Sequence, residues 1–454
     1  MVAFRKLEFK RYKRHLLLGF IGLITGAAVM LSMGVKDMVY LSIALVNCEI
    51  CAFSLFAYRK EPFTVYKINH LFFLFFFIFA NAMQYANNSI VSSLYVELTK
   101  DDYQMFQFLV FCILIFYNIF YAYWHQKAPR ILMRESFLKK CDSRILILIA
   151  AVAFAFVLFR YRHNPARLFF RGIAGQWHTT KGDTFAASSL LFGKLIRPLP
   201  MVCYLIAKEQ NKSLLVRGIL LFMMLVCLFP TAMSRNAVAM YWLPVALLAF
   251  KPFKRQDLFV LTMLGGLLIV FPFFDNFRYF NGNISFSFSF DYLNTMNFDA
   301  SQEFMITMKL KLVTWGRQLL GTLLFFVPRK IWPTKPLGSG ATLAGVQGVF
   351  SNISMPFVSE GYISFGYVGI FVYAFIMAFV SAYFDKNYWH ARNEAIRNWF
   401  APFFFVLVGS APYLMRGDLM SSFAYVLAIF FNIVMVRFFS SCFTKKAFRP
   451  STME

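Results

Sequence analysis

Charged residues are scarce in this sequence, and acidic residues are scarcer than basic ones. Only 15% of the 454 residues are Asp, Glu, Lys or Arg, whereas 59% are hydrophobic and the mean hydropathy is +0.59. A chain this apolar has too little polar surface to remain in solution as a globular protein. The composition therefore predicts a polytopic membrane protein.

Cysteine is sparse as well, with seven residues in the chain. None of them lies in a segment that we place on the outer face of the membrane, so a disulfide framework is not indicated. Cys48 and Cys51 form a Cys-x-x-Cys pair, but they lie inside an apolar run without further ligands beside them. The basic start, residues 5–14, is followed by no small-residue cleavage site, so we expect the first span to be retained.

Sequence motifs for metal, nucleotide and serine-hydrolase chemistry are missing. The chain has no Asp-x-Asp pair, no His pair with zinc spacing, no Gly-x-Ser-x-Gly and no phosphate-binding loop. We expect neither a cofactor nor a metal at the functional site, although ligands that are separated in sequence could converge. Arginine would then have to stabilise the charge of any leaving phosphate.

Basic residues exceed acidic ones strongly, and the formal net charge is +25. In a soluble protein this excess would suggest a nucleic-acid partner. Here the Lys and Arg residues lie mostly in short connectors between apolar runs, which is the pattern of the positive-inside rule. We therefore expect membrane lipids around these charges, and no nucleic acid.

Apolar runs of membrane length dominate the chain, and about twelve spans of about 20 residues can be placed. They lie near residues 16–35, 38–58, 65–85, 105–125, 145–161, 186–207, 217–230, 236–250, 258–274, 361–383, 398–415 and 419–438. An even number of spans puts both termini on one side, and the connectors on that side carry most of the Lys and Arg. We predict an all-α membrane domain over residues 1–454 with both termini in the cytoplasm.

This orientation places the two longest loops, residues 160–185 and 275–360, together on the outer face. Within the second loop, Asp299 and Gln302 resemble a capping box that opens a helix, and residues 304–326 are apolar enough for the membrane interface. Neither half of the chain repeats the other, which argues against an inverted-repeat transporter. We expect the second loop, with its short helices, to carry the functional site.

Outer arginines form the clearest chemical signal. The planar fork of arginine pairs with phosphate oxygens through two hydrogen bonds, so an arginine cluster without acids favours an anionic ligand. Arg171 in the first loop is the residue that we favour. For Arg160 and Arg162, snorkelling at the end of a span is an equal alternative.

Three further arginines lie at or inside predicted spans. Arg235 and Arg416 each follow a short turn at the outer surface, where an arginine rarely lies without a partner. Asp418 is a candidate local partner for Arg416. Arg197 lies inside the sixth span, and the sequence names no partner for it.

Several motifs in the second half of the chain resemble one known family. They are VPRKIWPTKP at 327–336, GSGATLAGVQG at 338–348, SEGYISFGYVG at 359–369, FRYF at Arg278, NFD at Asp299, MSRNA at Arg235 and MRGD at Arg416. In these motifs the chain resembles the Wzy-type oligosaccharide repeat-unit polymerases, the O-antigen polymerases of bacterial envelopes. The resemblance covers residues 231–421 and the topology, whereas the first 200 residues match only in layout.

The resemblance implies a GT-C-like helical fold in the bacterial inner membrane, with the active site at the periplasmic face. Such enzymes transfer a growing glycan from a polyprenyl diphosphate carrier onto a new lipid-linked repeat unit, and a chain-length regulator is a possible further partner. The catalytic set that we expect is Glu360, Arg278 and Arg329; the diphosphate-binding set is Arg171, Arg235, Arg416 and Lys335; the sugar-binding set is Tyr362, Trp332 and Tyr279.

Glu360 is the base that we expect to accept the proton of the attacking sugar hydroxyl. It lies at the end of the second loop, next to Gly361 and Tyr362. The alternative is that Glu360 caps the following helix or pairs with Arg329. The glycine-rich run at 338–348 is either a mobile lid over the acceptor or a passive connector.

Two other functions remain open at this point. An O-antigen ligase would share the lipid-linked donor but use a lipid A core acceptor. A flippase for the lipid-linked unit belongs to another class of protein, and the large outer loop and the lack of repeats weigh against it. The sequence specifies neither the sugars nor the linkage.

Overall fold

The computed structural model describes residues 20–58, 60–91, 96–132, 140–170, 192–270, 290–348 and 353–444. Within these ranges the secondary structure is helical and no strand occurs, which confirms the predicted all-helical membrane architecture. Three of the expected site residues, Arg171, Arg278 and Tyr279, lie outside the described residues.

Within the described ranges we number fifteen helices in chain order. They are α1 Phe20–Ser32, α2 Met38–Tyr58, α3 Val65–Ala86, α4 Lys100–Lys127, α5 Ser143–Tyr161, α6 Leu199–Glu209, α7 Leu214–Cys227, α8 Arg235–Ala249, α9 Gln256–Gly265, α10 Ala300–Lys309, α11 Arg317–Leu323, α12 Ser339–Gln347, α13 Phe357–Trp389, α14 Glu394–Arg416 and α15 Leu419–Thr444.

Eight helices of the described part are long and apolar enough to cross a membrane. They are α2, α3, α4, α5, α7 with the turn that follows it, α13, α14 and α15. The predicted spans near 16–35, 186–207, 236–250 and 258–274 correspond instead to the shorter helices α1, α6, α8 and α9. The predicted number of twelve is therefore not confirmed. A helix of 15 residues such as α8 is about 22 Å long, less than the hydrocarbon core of about 30 Å.

Helix α3 lies at the centre of the bundle, where 94% of its apolar window is buried. A helix that is apolar all round is expected in such a place. Its rings at Phe73, Phe75 and Phe77 are fully buried. The phenylalanines of this helix therefore form part of the core and do not face lipid.

A buried carboxylate from α13 holds one end of α3. Asp385 accepts hydrogen bonds from the backbone N–H of Val65 (2.8 Å) and Tyr66 (3.3 Å) and from the hydroxyl of Tyr121 (2.9 Å). The first N–H groups of a helix have no partner within the helix, so a carboxylate from a neighbouring element can satisfy them. This contact joins α3, α4 and α13 at one end of the bundle.

Helix α13 is broken near its start. Phe365 and Gly366 leave the helical conformation, and Gly366 has φ +64° and ψ −150°, a backbone region that glycine adopts without a steric penalty. An ideal Cβ on Gly361 would lie 2.3 Å from the carbonyl oxygen of Gly369. In a continuous helix those residues would be about 12 Å apart. Residues 357–364 therefore fold back against 367–389, and the predicted span start at Gly361 is wrong.

We predict that Gly361→Ala destabilises the protein, because the added methyl group meets the backbone of Gly369. Overpacking of this kind costs about 1–3 kcal/mol. Gly218 lies within α7, where an added Cβ meets no atom within 4 Å, so Gly218→Ala serves as the control and should raise stability by up to about 1 kcal/mol. Unfolding of the full chain in detergent measures both. Equal effects of the two variants would contradict the close packing.

Candidate active site

The short helices of the second loop pack over one end of the bundle. The side chain of Gln84, near the end of α3, donates to the carbonyl oxygen of Phe298 (2.9 Å), and Gln302 accepts from the N–H of Val91 (2.9 Å). Gln302 therefore bridges to the connector between α3 and α4 and does not contribute to a capping box. Asp299 occupies the N-cap position of α10 without a side-chain capping bond, so the predicted box is wrong.

Residues 304–326 do not form one interfacial helix. Helix α10 ends at Lys309, and Lys311 and Trp315 adopt positive φ values of 49° and 48° before α11 begins at Arg317. The N–H groups of Thr314 and Gly316 donate to the carbonyl oxygens of Ile363 and Ser364 at 2.7 and 2.8 Å. This turn thus supports the reversed segment of α13 that carries Glu360.

Glu360 is buried, with 1% of its surface exposed, in the first turn of α13. Its Oε2 accepts from the hydroxyl of Ser339 at 2.6 Å, and its Oε1 accepts from the N–H of Leu419 at 2.9 Å. The described partners of Glu360 thus belong to α12 and α15. The alternative of a cap on the helix that follows Glu360 is wrong, because Glu360 lies inside that helix and caps α15 instead. The alternative of a pair with Arg329 is also wrong.

A second carboxylate lies beside this contact. Asp418 is the residue before α15, and its two oxygens accept from the N–H of Ser421 and of Gly340 at 3.1 Å each. An N-cap aspartate of this kind satisfies one of the free donors of the helix. Asp418 and Glu360 together therefore hold the start of α15 against α12.

The glycine-rich run at 338–348 is helical over Ser339–Gln347. An ideal Cβ on Gly338 would lie 2.2 Å from Oδ2 of Asp418, and one on Gly340 would lie 2.6 Å from the carbonyl oxygen of Ile353. Gly348 ends the helix with φ +65°, as glycine does at many helix C-termini. The run is therefore a short helix whose glycines permit close packing, while its role as a mobile lid or a passive connector stays a prediction.

Arg416 and Asp299 form an ion pair at the same end of the bundle. Nη2 of Arg416 lies 2.9 Å from Oδ1 of Asp299 and 3.0 Å from the carbonyl oxygen of Met296. The Asp299 carboxylate also accepts from the N–H of Ser354 at 3.2 Å and from its hydroxyl. The candidate pair between Arg416 and Asp418 is wrong, because a residue more distant in sequence supplies the acid.

Arg329 and Lys335 bind the backbone of their own segment. Arg329 donates to the carbonyl oxygens of Lys335 (2.5 Å) and Pro336 (3.1 Å), whereas Lys335 donates to those of Phe325 (2.6 Å) and Val327 (3.0 Å). Burial, and then the cation of Arg329, lower the pKa of Lys335. Both cations therefore stiffen residues 325–336.

A cleft of 540 Å³ opens beside this segment. Its lining comprises Thr314, Arg317, Gln318, Thr334, Lys335, Pro336, Leu337, Ala341, Thr342, Gly345 and Val346. The side-chain nitrogen of Gln318 donates to Thr342 at 3.0 Å, while its buried oxygen has no hydrogen-bond partner among the described residues. Helix α12 lines the cleft with Ala341, Thr342, Gly345 and Val346, and its first residue, Ser339, contacts Glu360.

The expected sugar-binding aromatics lie at two different depths. Tyr362 is 4% exposed, and its hydroxyl donates to the carbonyl oxygen of Met308 at 3.4 Å, so its ring packs inside the protein. Trp332 is half-buried, and its Nε1 donates to Thr334 at 3.1 Å. Thr334 lines the cleft, so Trp332 lies next to it. Trp332 is therefore better placed than Tyr362 to contact a sugar in the cleft.

Lys194 is a cation that the sequence reasoning missed. Its ammonium lies 4.7 Å from the ring centre of Tyr425 on α15, and Asp418 attracts it electrostatically. Arg197, one turn later in sequence, donates to the carbonyl oxygen of Cys227 at 2.6 Å. The only sequence signal was the spacing of Lys194 and Arg197 by three residues within an apolar run, which places two charges on one helix face.

Arg235 is half-buried at the first position of α8. The side chain of Ser234 caps this helix by accepting from the N–H of Ala237 at 3.3 Å. The short turn before the helix therefore has a structural explanation in its own capping residue. The role of Arg235 toward a diphosphate stays a prediction.

We predict that Arg416→Gln costs about 3–5 kcal/mol of stability, because it leaves the carboxylate of Asp299 buried without its cation. The side chain of Asp299 is 2% exposed and that of Arg416 is 21% exposed. The pair between Lys309 and Asp102 is the control, since its side chains are 37% and 30% exposed, and Lys309→Gln should cost about 0–1 kcal/mol. Denaturant unfolding in detergent gives both values, and a neutral Arg416→Gln would rule out a structural ion pair.

Comparison with known proteins adds no relative to this geometry. No family model, no curated protein and no solved structure matches this chain.

Proposed function

We propose that this chain is a glycosyltransferase of the bacterial inner membrane that polymerises polyprenyl-diphosphate-linked oligosaccharide repeat units at the periplasmic face. Its product would be O-antigen or a related surface polysaccharide. The observation that carries the proposal is the buried Glu360, which Ser339 and Leu419 hold beside Asp418, and which α12 connects to a cleft lined by Arg317 and Lys335. The resemblance of these segments to the polymerase family supports the same assignment.

The proposed reaction needs a base and cations but no metal at this site. A sugar hydroxyl of the acceptor attacks the anomeric carbon of the donor and forms the new glycosidic bond. The bond from that carbon to the diphosphate breaks, and the hydroxyl proton passes to the carboxylate of Glu360. Arginine and lysine side chains stabilise the charge that develops on the leaving diphosphate.

Access to Glu360 requires α12 to move. Both carboxylate oxygens accept hydrogen bonds from the protein, and one of those donors is the hydroxyl of Ser339 at the start of α12. An acceptor sugar that displaced this hydroxyl would occupy the same position on Glu360. We therefore assign α12, between Gly338 and Gly348, the role of the lid that the glycine-rich sequence predicted.

The cleft is proposed to bind the sugar chain. Its threonine hydroxyls offer donors and acceptors to sugar hydroxyls. Arg317 and Lys335 on the same wall favour an anionic carrier group.

The proposed orientation is supported by contacts at the opposite end of the bundle. The basic connectors assigned to the cytoplasm touch one another there: Lys386 donates to the carbonyl oxygen of Ala128 at 2.7 Å, and Gln210 accepts from the N–H of Cys141 at 2.9 Å. Connectors that share a side of the membrane are expected to meet in this way.

Incubation of the purified full chain in lipid vesicles with lipid-linked repeat units tests the proposal. A ladder of products that differ by one repeat unit is the expected result. Transfer of glycan only to a lipid A core acceptor would identify a ligase instead. Movement of the substrate across the bilayer without lengthening would identify a flippase, and either outcome would overturn the polymerase.

We predict that Glu360→Gln lowers polymer formation by about 100-fold or more, because the amide cannot accept the hydroxyl proton. Glutamine retains an acceptor for the N–H of Leu419 and can donate to Ser339, so the fold and donor binding should persist. Asp385→Asn, at the other end of α13, is the control for altering a buried carboxylate. It should polymerise normally once the amount of folded protein is matched. A fully active Glu360→Gln would exclude Glu360 as the base.

We also predict that Arg235→Ala lowers the rate roughly tenfold or more, the value of a lost charge-assisted hydrogen bond. Lysine at this position should restore activity only in part, because it lacks the planar fork of arginine. Arg144 is exposed beside a connector at the opposite end, so Arg144→Ala should leave the rate unchanged. Steady-state rates at saturating and limiting donor give the comparison. Equal rates for Arg235→Ala and Arg144→Ala would remove Arg235 from the diphosphate site.

A further inference from the structure

Three metal-ligating side chains converge at the end of the bundle opposite Glu360. Glu61 lies in the connector before α3, His125 lies in the last turn of α4, and His390 follows the end of α13. One potential ligand atom from each residue lies within 4.8 Å of those from the other two. Nε2 of His390 is 3.1 Å from Oε1 of Glu61, and the two imidazole rings are 5.4 Å apart.

From this geometry we infer that Glu61, His125 and His390 form a binding site for a divalent transition metal ion, with Zn²⁺ as the favoured ligand. Two imidazoles and one carboxylate are a ligand set that zinc uses, whereas Mg²⁺ and Ca²⁺ prefer oxygen ligands alone. No sequence motif indicates the site, because its three ligands are far apart in the sequence.

The distances suit a tetrahedral ion after small rotations of the side chains. Bonds of about 2.0–2.1 Å to zinc place neighbouring donor atoms about 3.4 Å apart. Glu61 and His390 already meet this separation, and the third donor lies within 4.8 Å. Closing the remaining gap requires the donor atoms to approach by about 1.4 Å or less.

Glu61 has a free carboxylate oxygen suited to a metal. Its side chain is 15% exposed, and its buried Oε2 has no hydrogen-bond partner among the described residues. Its backbone carbonyl oxygen accepts from the ammonium of Lys67 at 2.5 Å, which fixes the connector. A cation at the carboxylate would satisfy this oxygen.

The surroundings of the three ligands are held together without the metal. Trp389 donates to the carbonyl oxygen of Phe63 at 2.9 Å, and Lys386 donates to that of Gln126 at 2.8 Å. These bonds place the end of α13 against the connector of Glu61 and against the end of α4. The ligands are thus positioned before an ion binds.

Three protein ligands leave one coordination position open. The side chain of His390 is 48% exposed, so water or a fourth ligand can reach the ion from the solvent. His390 and the break at Gly366 are separated by about 35 Å of helix. The ion would therefore hold α4, α13 and the connector before α3 together, and it would not take part in the chemistry at Glu360.

Titration calorimetry on the full chain, purified in detergent through a tag without histidine and stripped with a chelator, tests this inference. We expect one Zn²⁺ per chain and no comparable binding of Mg²⁺. His125→Ala and His390→Ala should each weaken Zn²⁺ binding by about 100-fold or more, since even the second-shell partners of metal ligands contribute about 10–100-fold. His163→Ala is the control, because His163 lies in the first outer loop and contacts Arg162.

A second set of measurements distinguishes a loss of metal binding from misfolding of a variant. Glu61→Gln keeps the shape of the side chain but loses its charge, and it should abolish the rise in unfolding temperature that Zn²⁺ causes in the unaltered chain. Co²⁺ should give the visible absorption of a tetrahedral site in the unaltered chain and in His163→Ala only. Zn²⁺ binding that is absent, or that is unchanged in His125→Ala and His390→Ala, would overturn the inference.

Discussion

Two buried carboxylates on one helix hold the starts of two other helices. The first N–H groups of a helix have no partner within it, and inside a membrane water cannot supply one. Near one end of α13, Asp385 accepts from the N–H groups of Val65 and Tyr66 at the start of α3, and near the other end Glu360 accepts from that of Leu419 at the start of α15. The central helix and the last helix of the bundle are both fixed by α13.

This arrangement gives Glu360 a structural role besides its proposed chemical one. The N–H of Leu419 and the hydroxyl of Ser339 keep its oxygens in place within a buried site. In the proposed reaction, a proton acceptor that is already oriented would need little rearrangement. Asp418 accepts from the N–H of Ser421, so the start of α15 has a second cap besides Glu360.

The sequence predicted the features that depend on local composition, namely the helical class, eight of the spans and the short helices in the second loop. It failed where contacts between distant segments decide. The pairing of Arg416 with Asp299 joins residues that are 117 positions apart, and no local pattern indicates it. The sequence did not indicate a helix in the glycine-rich run, because intrinsic propensity disfavours glycine in helices. Close approach to Asp418 and Ile353 nevertheless requires small residues there.

The length of the apolar run also failed to predict the start of α13. The apolar run continues through Phe365 and Gly366, so hydropathy alone cannot show that the chain reverses there. In the same way, Glu61, His125 and His390 form a cluster only because the connectors meet at the far end of the helix. The positions of side chains at loop ends depend on how the spans pack, which is a tertiary property.

The break at Gly366 divides α13 into two segments that are held by different parts of the molecule. The long segment, residues 367–389, is anchored by Asp385 and Lys386 to α3 and α4. The short segment, residues 357–364, is held by α12, by the start of α15 and by the turn before α11. The position of Glu360 is therefore set by the short helices around it and by the contact of Gly361 with Gly369, and not by a straight continuation of the transmembrane segment.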